Sequence, residues 1–198
     1  MAISTYAELK QAVADWAKRT DLTTYIPDFV ALAESDHRHD VKVREMESLA
    51  TGTLTGETLA HPTRMIEARR LVVADYQRYY VPAEVYQQYD KDGRTDKVYT
   101  NIGASFYILN GASGDSYSLI YTAGFTPLSA SGDTNWLLKN APEVYLFGAL
   151  RHAAAYTVDE QNEARFKTLY GEAVARLNGR ENAARSAGPL SILPAVSE

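Results

Sequence analysis

Four histidines, a run of arginines and a scatter of carboxylates are the residues of this sequence that could do chemistry. His37 and His39 stand two apart in a segment of helical periodicity, which turns their rings to different faces. A chelating pair on one helix face needs the four-residue spacing of H-E-x-x-H. Asp36 and Asp40 flank the two histidines, and the whole run reads as a solvated polar helix end. His152 lies in an apolar stretch, where a lone histidine is a hydrogen-bonded core or interface group. The nearest approach to a nucleophile elbow, Gly111-Ala112-Ser113-Gly114, lacks the G-x-S-x-G spacing and falls in a hairpin loop between strand patterns. Neither a Walker A sequence nor G-x-G-x-x-G occurs. The chain has no cysteine, so thiolate metal sites, disulfides and cysteine nucleophiles are excluded. Carboxylates are abundant enough to leave an acid/base pair open, as a wall hydrolase would need, but they fall on helix faces and loop tips. The expectation is therefore no catalytic residue, no metal and no cofactor. What remains is Arg64, Arg69 and Arg70, with Arg78, Tyr79 and Tyr80 beyond them. Arginine with tyrosine is the composition of an interface hot spot and also of a single-strand nucleic-acid platform.

The elements that must position these residues follow from periodicity. Thr5 and Glu8 form a T-x-x-E capping box ahead of Tyr6, Leu9, Val13 and Trp16, one apolar face of a first helix. A second helix is predicted from about Thr24 to Asp40, with Pro27 in its first turn and Ile26, Phe29, Val30 and Ala33 on its apolar side. The short loop between the two predicts antiparallel packing. After Asp40 the texture becomes Thr-rich and Gly-punctuated, a strand and turn signature. One helical turn is predicted over 62–67, strands over 69–74 and 76–81, a short helix over 82–89, and then a meander of strands over 98–102, 106–109 and 117–123. Helix returns with Pro142, which opens an all-round apolar segment to Tyr156, the predicted buried central helix. Gly148 within it points to a close helix crossing. A last helix from about Asp159 carries Phe166, Leu169, Tyr170, Ala173 and Leu177 on one face, with Glu163–Lys167 and Glu172–Arg176 as helix-surface ion pairs.

The fold class is thus α+β: N- and C-terminal helices forming a helical bundle with a central antiparallel β insertion. The expected organisation is a single domain of 198 residues, with the bundle over 1–40 and 135–185, a β-rich lobe over 41–134 and a tail over 186–198. A net charge of −5 argues against a dedicated nucleic-acid binder. The N-terminus lacks the basic start and apolar run of a signal peptide, and no stretch approaches the roughly 18 apolar residues of a membrane span. Fourteen tyrosines against five phenylalanines and two tryptophans are the compositional oddity. Tyr suits surfaces that are half wet, and it is enriched in protein interfaces.

Four stretches carry a resemblance to a known family. They are Tyr6-Ala7-Glu8-Leu9 to Trp16, the run from Ile26-Pro27-Asp28-Phe29 to Glu34, Leu59-Ala60-His61-Pro62 with Glu67-Ala68-Arg69-Arg70-Leu71, and Thr134-Asn135-Trp136-Leu137-Leu138 leading into Pro142 to Leu150. In order and spacing the chain resembles the head-to-tail adaptor proteins of tailed bacteriophages, also called neck or head-completion proteins, of the podovirus-like type. The polar run Ser35-Asp36-His37-Arg38-His39 departs from the pattern and touches the surface of the second helix. The resemblance implies a homo-oligomeric ring, of twelve subunits, docked under the portal protein. That ring would extend the channel for passing double-stranded DNA without sequence-specific binding and present a platform to tail or nozzle proteins. It implies a virion component made in the host bacterial cytoplasm, with no membrane partner and no catalytic residues. Expected subunit-contact residues are Trp136, on a loop before the central helix, Tyr145, Arg69, Arg70, Tyr79 and Tyr80. The apolar tail residues Leu190, Ile192, Leu193 and Val196 are expected to dock on the portal. Another neck protein, or a tail-completion or terminator protein, would share this composition, and the acid/base hydrolase stays a remote alternative.

Overall fold

The computed structural model describes residues 3–186. The described chain gathers into two compact units, one of residues 3–44 with 127–186 and one of residues 45–126.

The first unit is helical. Thr5 caps α1 (Tyr6–Ala17) through the capping box read from its sequence, and Lys18 ends it in the left-handed region. Helix α2 spans Ile26–Asp40 with Pro27 in its first turn. A short helix α4 (Trp136–Asn140), capped by the Asn135 side chain, leads directly into α5 (Pro142–Tyr156), and α6 runs Glu160–Ser186. Helix α5 is the centre: Val144, Tyr145, Leu146, Gly148, Ala149, Leu150, Ala153 and Ala154 are all buried. At about 1.5–3 kcal/mol for each fully buried large aliphatic side chain, this helix is the principal source of stability in the unit. Gly148 has the role its position suggests, because a Cβ added there would lie 3.0 Å from the Cβ of Ala33 on α2.

The second unit is a seven-stranded curled sheet with one helix. Its strands are β1 (Glu47–Thr53), β2 (Thr58–Ala60), β3 (Met65–Val73), β4 (Tyr76–Tyr80), β5 (Val98–Ile102), β6 (Ser105–Ile108) and β7 (Ser116–Ala123), with α3 (Ala83–Lys91) between β4 and β5. The order is β1-β7-β3-β4-β5-β6-β2. Leu54, Leu71, Val73, Tyr99, Phe106, Ile108 and Leu119 form its core.

Several expectations are corrected here. Residues 62–67 make no helical turn: Arg64 takes a left-handed φ of 62° and β3 begins at Met65. The C-terminal three strands are not a meander, since β7 leaves β6 and inserts between β1 and β3. The lobe is mostly antiparallel, as expected, with one parallel pairing, β4 with β5 across the α3 crossover. Trp136 opens α4 and does not sit on a loop. His37 is buried, not solvated. Trp16, placed by periodicity on the buried face of α1, is 48 % exposed, and Ala12 takes the inner position. Arg176 pairs with Glu143 of α5 at 2.9 Å, across helices and not along its own.

Candidate assembly site

The residues expected to meet other subunits divide between the two units. In the second unit, a two-residue turn with Ala74 and Asp75 at φ 49° and 66° joins β3 to β4. Left-handed geometry at both positions matches the twist of a hairpin. It holds β4 with Arg78 turned inward. Arg78 is 4 % exposed, and its Nη1 donates to the Leu109 carbonyl at 2.9 Å. Burial lowers its pKa, and Asp115 acts against that. With the cation anchored inside, the rest of the strand presents aromatic rings. Tyr76, Tyr79 and Tyr80 are 59 %, 62 % and 61 % exposed. Lys97 lies over the Tyr76 ring at 4.8 Å, and Tyr80 packs edge-on to buried Tyr99 at 5.9 Å. Exposed tyrosine rings, with only two rotatable bonds to fix, are low-entropy anchors of the kind interfaces use.

Arg69 and Arg70 lie on neighbouring β3, where the register shifts against β7 between Ala68 and Arg70. Arg69 Nε donates to Thr122 Oγ1 at 3.4 Å and stands 3.8 Å from Glu67. Both members of that ion pair are about half exposed or more, so it contributes little to stability. Arg70 is exposed and in register with Ile120 of β7, which in turn faces Leu49 of β1.

The helical unit treats its expected residues differently. Trp136 is half-buried in the first turn of α4. Tyr145 is 1 % exposed, and its hydroxyl accepts from Asn135 Nδ2 at 2.7 Å and donates to Glu34 Oε1 at 3.2 Å. It is therefore a core group of its own chain and offers no side-chain surface to a neighbour. Burial raises the pKa of Glu34, which the Leu128 N–H and the Tyr145 hydroxyl counter. The polar run that departed from the family pattern forms a seam between α2, α5 and α6. Burial disfavours the charge of Asp36, but His152 Nε2 at 2.7 Å and the guanidinium of Arg151 outweigh it and lower its pKa. Tyr170 donates to Asp40 at 2.9 Å, and Arg151 lies over the Tyr170 ring. His37 sits between the rings of Tyr145 and Tyr170, and burial pushes its pKa down to about 4. Sequence periodicity could not reveal this seam, because its hydrogen-bonded side chains are 111 and more residues apart.

Among the described residues no cluster of His, Asp and Glu could hold a metal ion, and no helix is long and apolar enough to cross a membrane. An open cleft of about 890 Å³ lies between the end of α1 and the α5–α6 turn, lined by Trp16, Arg19, Leu22, Val158 and Phe166. The tail residues Leu190, Ile192, Leu193 and Val196 lie outside the described residues.

The family model for SU10 adaptor protein matches residues 4–192. The chain belongs to the SU10 adaptor protein family. It is accordingly a structural protein of bacteriophage virion assembly, of the head-to-tail adaptor kind. No curated protein matches the chain. For an adaptor the outward tyrosines of β4 are the informative feature, since surface of that composition has a use in contact with other chains.

Proposed function

We propose that this adaptor works as a non-enzymatic ring of twelve copies, docked beneath the portal at the capsid vertex. There it extends the channel through which DNA passes and offers a platform to tail or nozzle proteins. The observation that carries the reading is the family match over nearly the whole chain. The exposed rings of Tyr76, Tyr79 and Tyr80 support it, because a short strand with open tyrosines on both faces has the composition of a subunit contact. The net charge of −5 suits a channel wall that must not retain DNA. Lateral contacts that are weak one by one are held together when every copy also docks on a common ring. The free chain is therefore monomeric, and the portal templates the ring.

Electron microscopy of purified portal rings incubated with the adaptor tests the reading. An added layer with twelve-fold symmetry on the tail-facing side is the expected image. Bare portal rings at micromolar adaptor and low salt would move the protein to another place in the neck or tail.

A further inference from the structure

The curled sheet of the second unit covers one of its outer faces and leaves the other bare. Leu71, Val73 and Leu119 of β3 and β7 meet Tyr99, Phe106 and Ile108 of β5 and β6 in one core. The two halves of the sheet therefore turn their inner faces toward each other and their outer faces away. On the β5–β6 half the outer face is covered, because Tyr86 of α3 packs there on Val98 and Leu109. Side chains alternate across a strand. Beside buried Leu71 and Leu119, the neighbours Arg70 and Ile120 thus point outward on the other half, and both are exposed.

Those outward residues line up across four strands. Leu49 of β1 is in register with Ile120 of β7, and Ile120 with Arg70 of β3. Leu71 pairs with Arg78, which sets Tyr79 of β4 one step along, beside Arg70. The bulge between Ala68 and Arg70 leaves Arg69 exposed as well. Leu49 is 64 % exposed and Ile120 37 %. An exposed apolar row that ends in Arg and Tyr has the make-up of a binding surface. Arg69 has Glu67 and Thr122 as neighbours, whereas among the described residues no carboxylate pairs with Arg70.

The complement lies on the covered side. Helix α3 with its C-cap carries three acids, Glu84, Asp90 and Asp92, against the single Lys91. Glu84 is exposed, and among the described residues no cation pairs with it. Val85 beside it is 37 % exposed. A carboxylate next to an apolar side chain on this helix matches an arginine next to apolar side chains on the sheet.

We propose that the row Leu49, Ile120, Arg70 and Tyr79 receives α3 of a second copy, its Arg70 meeting the exposed Glu84 and its Ile120 the exposed Val85. The inference rests on the ring reading above and names the contact which that reading needs. The two surfaces lie on opposite sides of one sheet, so a copy cannot satisfy its own. A contact between unlike surfaces runs head to tail and closes into a ring. Row against row would set arginine near arginine, a like-charge contact that disfavours a two-fold dimer.

The chain has no cysteine, so introduced ones report cleanly. Chains carrying both Val85→Cys and Ile120→Cys, assembled on portal rings and treated with a short bis-maleimide, should give a ladder of cross-linked species above the dimer. Chains with either substitution alone should give none. Arg70→Glu should cut assembly on the portal at least about tenfold, and so should Glu84→Arg, because each sets like charges together. Both side chains are exposed, so the unfolding midpoint of either free variant should stay in place. An equal mixture of the two variants should restore assembly, since alternation around the ring pairs opposite charges at every contact. Cross-links among chains with Ile120→Cys alone, or normal assembly of Arg70→Glu, would overturn the proposal. So would a mixture that assembles no better than either variant, or a ring of full mass without the ladder, which would leave the row to the portal or tail. Portal rings that bind no unsubstituted chain would count against the ring reading instead. The doubly substituted chain cross-linked at high concentration without portal would then decide the contact by itself, a ladder upholding it and monomers alone removing it.

Discussion

The α2–α5–α6 seam of one unit and strand β4 of the other spend their polar and aromatic residues in opposite ways. In the helical unit Tyr145, Tyr170, His37, Glu34, Asp36 and Arg151 are turned toward one another along the α2–α5–α6 seam. In the sheet unit Arg78, Tyr86, Tyr99 and Thr100 are also turned inward, but on β4 the rings of Tyr76, Tyr79 and Tyr80 are open. The same residue types thus specify packing along the seam and stay open to solvent on β4. Substitutions in the seam should cost stability and spare binding chemistry, and substitutions on β4 should do the reverse.

The largest break in this comparison is expected at the α2–α5 crossing. Gly148→Val drives a side chain into Ala33, whose Cβ would be 3.0 Å from the first added carbon, and should destabilise the helical unit by about 3 kcal/mol or more. Both tryptophans, Trp16 and Trp136, lie in that unit, so tryptophan fluorescence in a denaturant titration reads it directly. An unchanged midpoint would mean that the two helices can separate without cost.

Acid should act on the seam almost as strongly. His37 takes up a proton at its ordinary pKa of 6.5 when unfolded but only near pH 4 when folded, because burial opposes its charge. Between those values the unfolded chain binds more protons, so stability falls as pH drops through the window, by on the order of 3 kcal/mol. Asp36, whose pKa is lowered by His152 and Arg151, extends the loss: the stability it contributes above 3.8 disappears as pH falls through its lowered value. His37→Leu should flatten the profile between pH 6.5 and 4, and a variant with the wild-type slope would assign the acid response to other groups.

How much of this could be read beforehand depends on the range of the interaction. The capping box of α1, Pro27 in the first turn of α2, the apolar centre of α5 and the close approach at Gly148 are local signals, and each is where periodicity and cap chemistry placed it. Strand existence was legible around β3 to β7, but neighbour choice was not. Nothing local distinguishes β7 pairing with β6 from its insertion between β1 and β3, because strand order is set by long-range packing. The same reason hid His37, whose polar surroundings in sequence gave way to Tyr145 and Tyr170 in space. It also hid the outward side of Trp16. For the assembly surface, composition pointed to Arg and Tyr together, and only burial separates Tyr145, a core group, from Tyr79 and Tyr80, which are exposed.

On the sheet side, Tyr79→Ser with Tyr80→Ser should leave the midpoint of the free chain within about 0.5 kcal/mol. Truncating two interface aromatics should weaken assembly at least about tenfold. Sedimentation of the variant with portal rings checks this, and a variant that assembles normally would remove both rings from the interface. The smallest effect is expected at the β3–β4 turn. Asp75→Gly relieves a left-handed φ of 66° and should stabilise the sheet unit by up to about 1 kcal/mol, seen as a later loss of its far-ultraviolet signal on heating.

The central claim is that this adaptor builds a ring on the portal, and the mass of the portal complex tests it most directly. Native mass spectrometry of purified portal rings with excess protein should show a gain of twelve copies of the 21.9 kDa chain and few partly filled states. No gain, or a gain of one or two copies without progression to a closed ring, would contradict it.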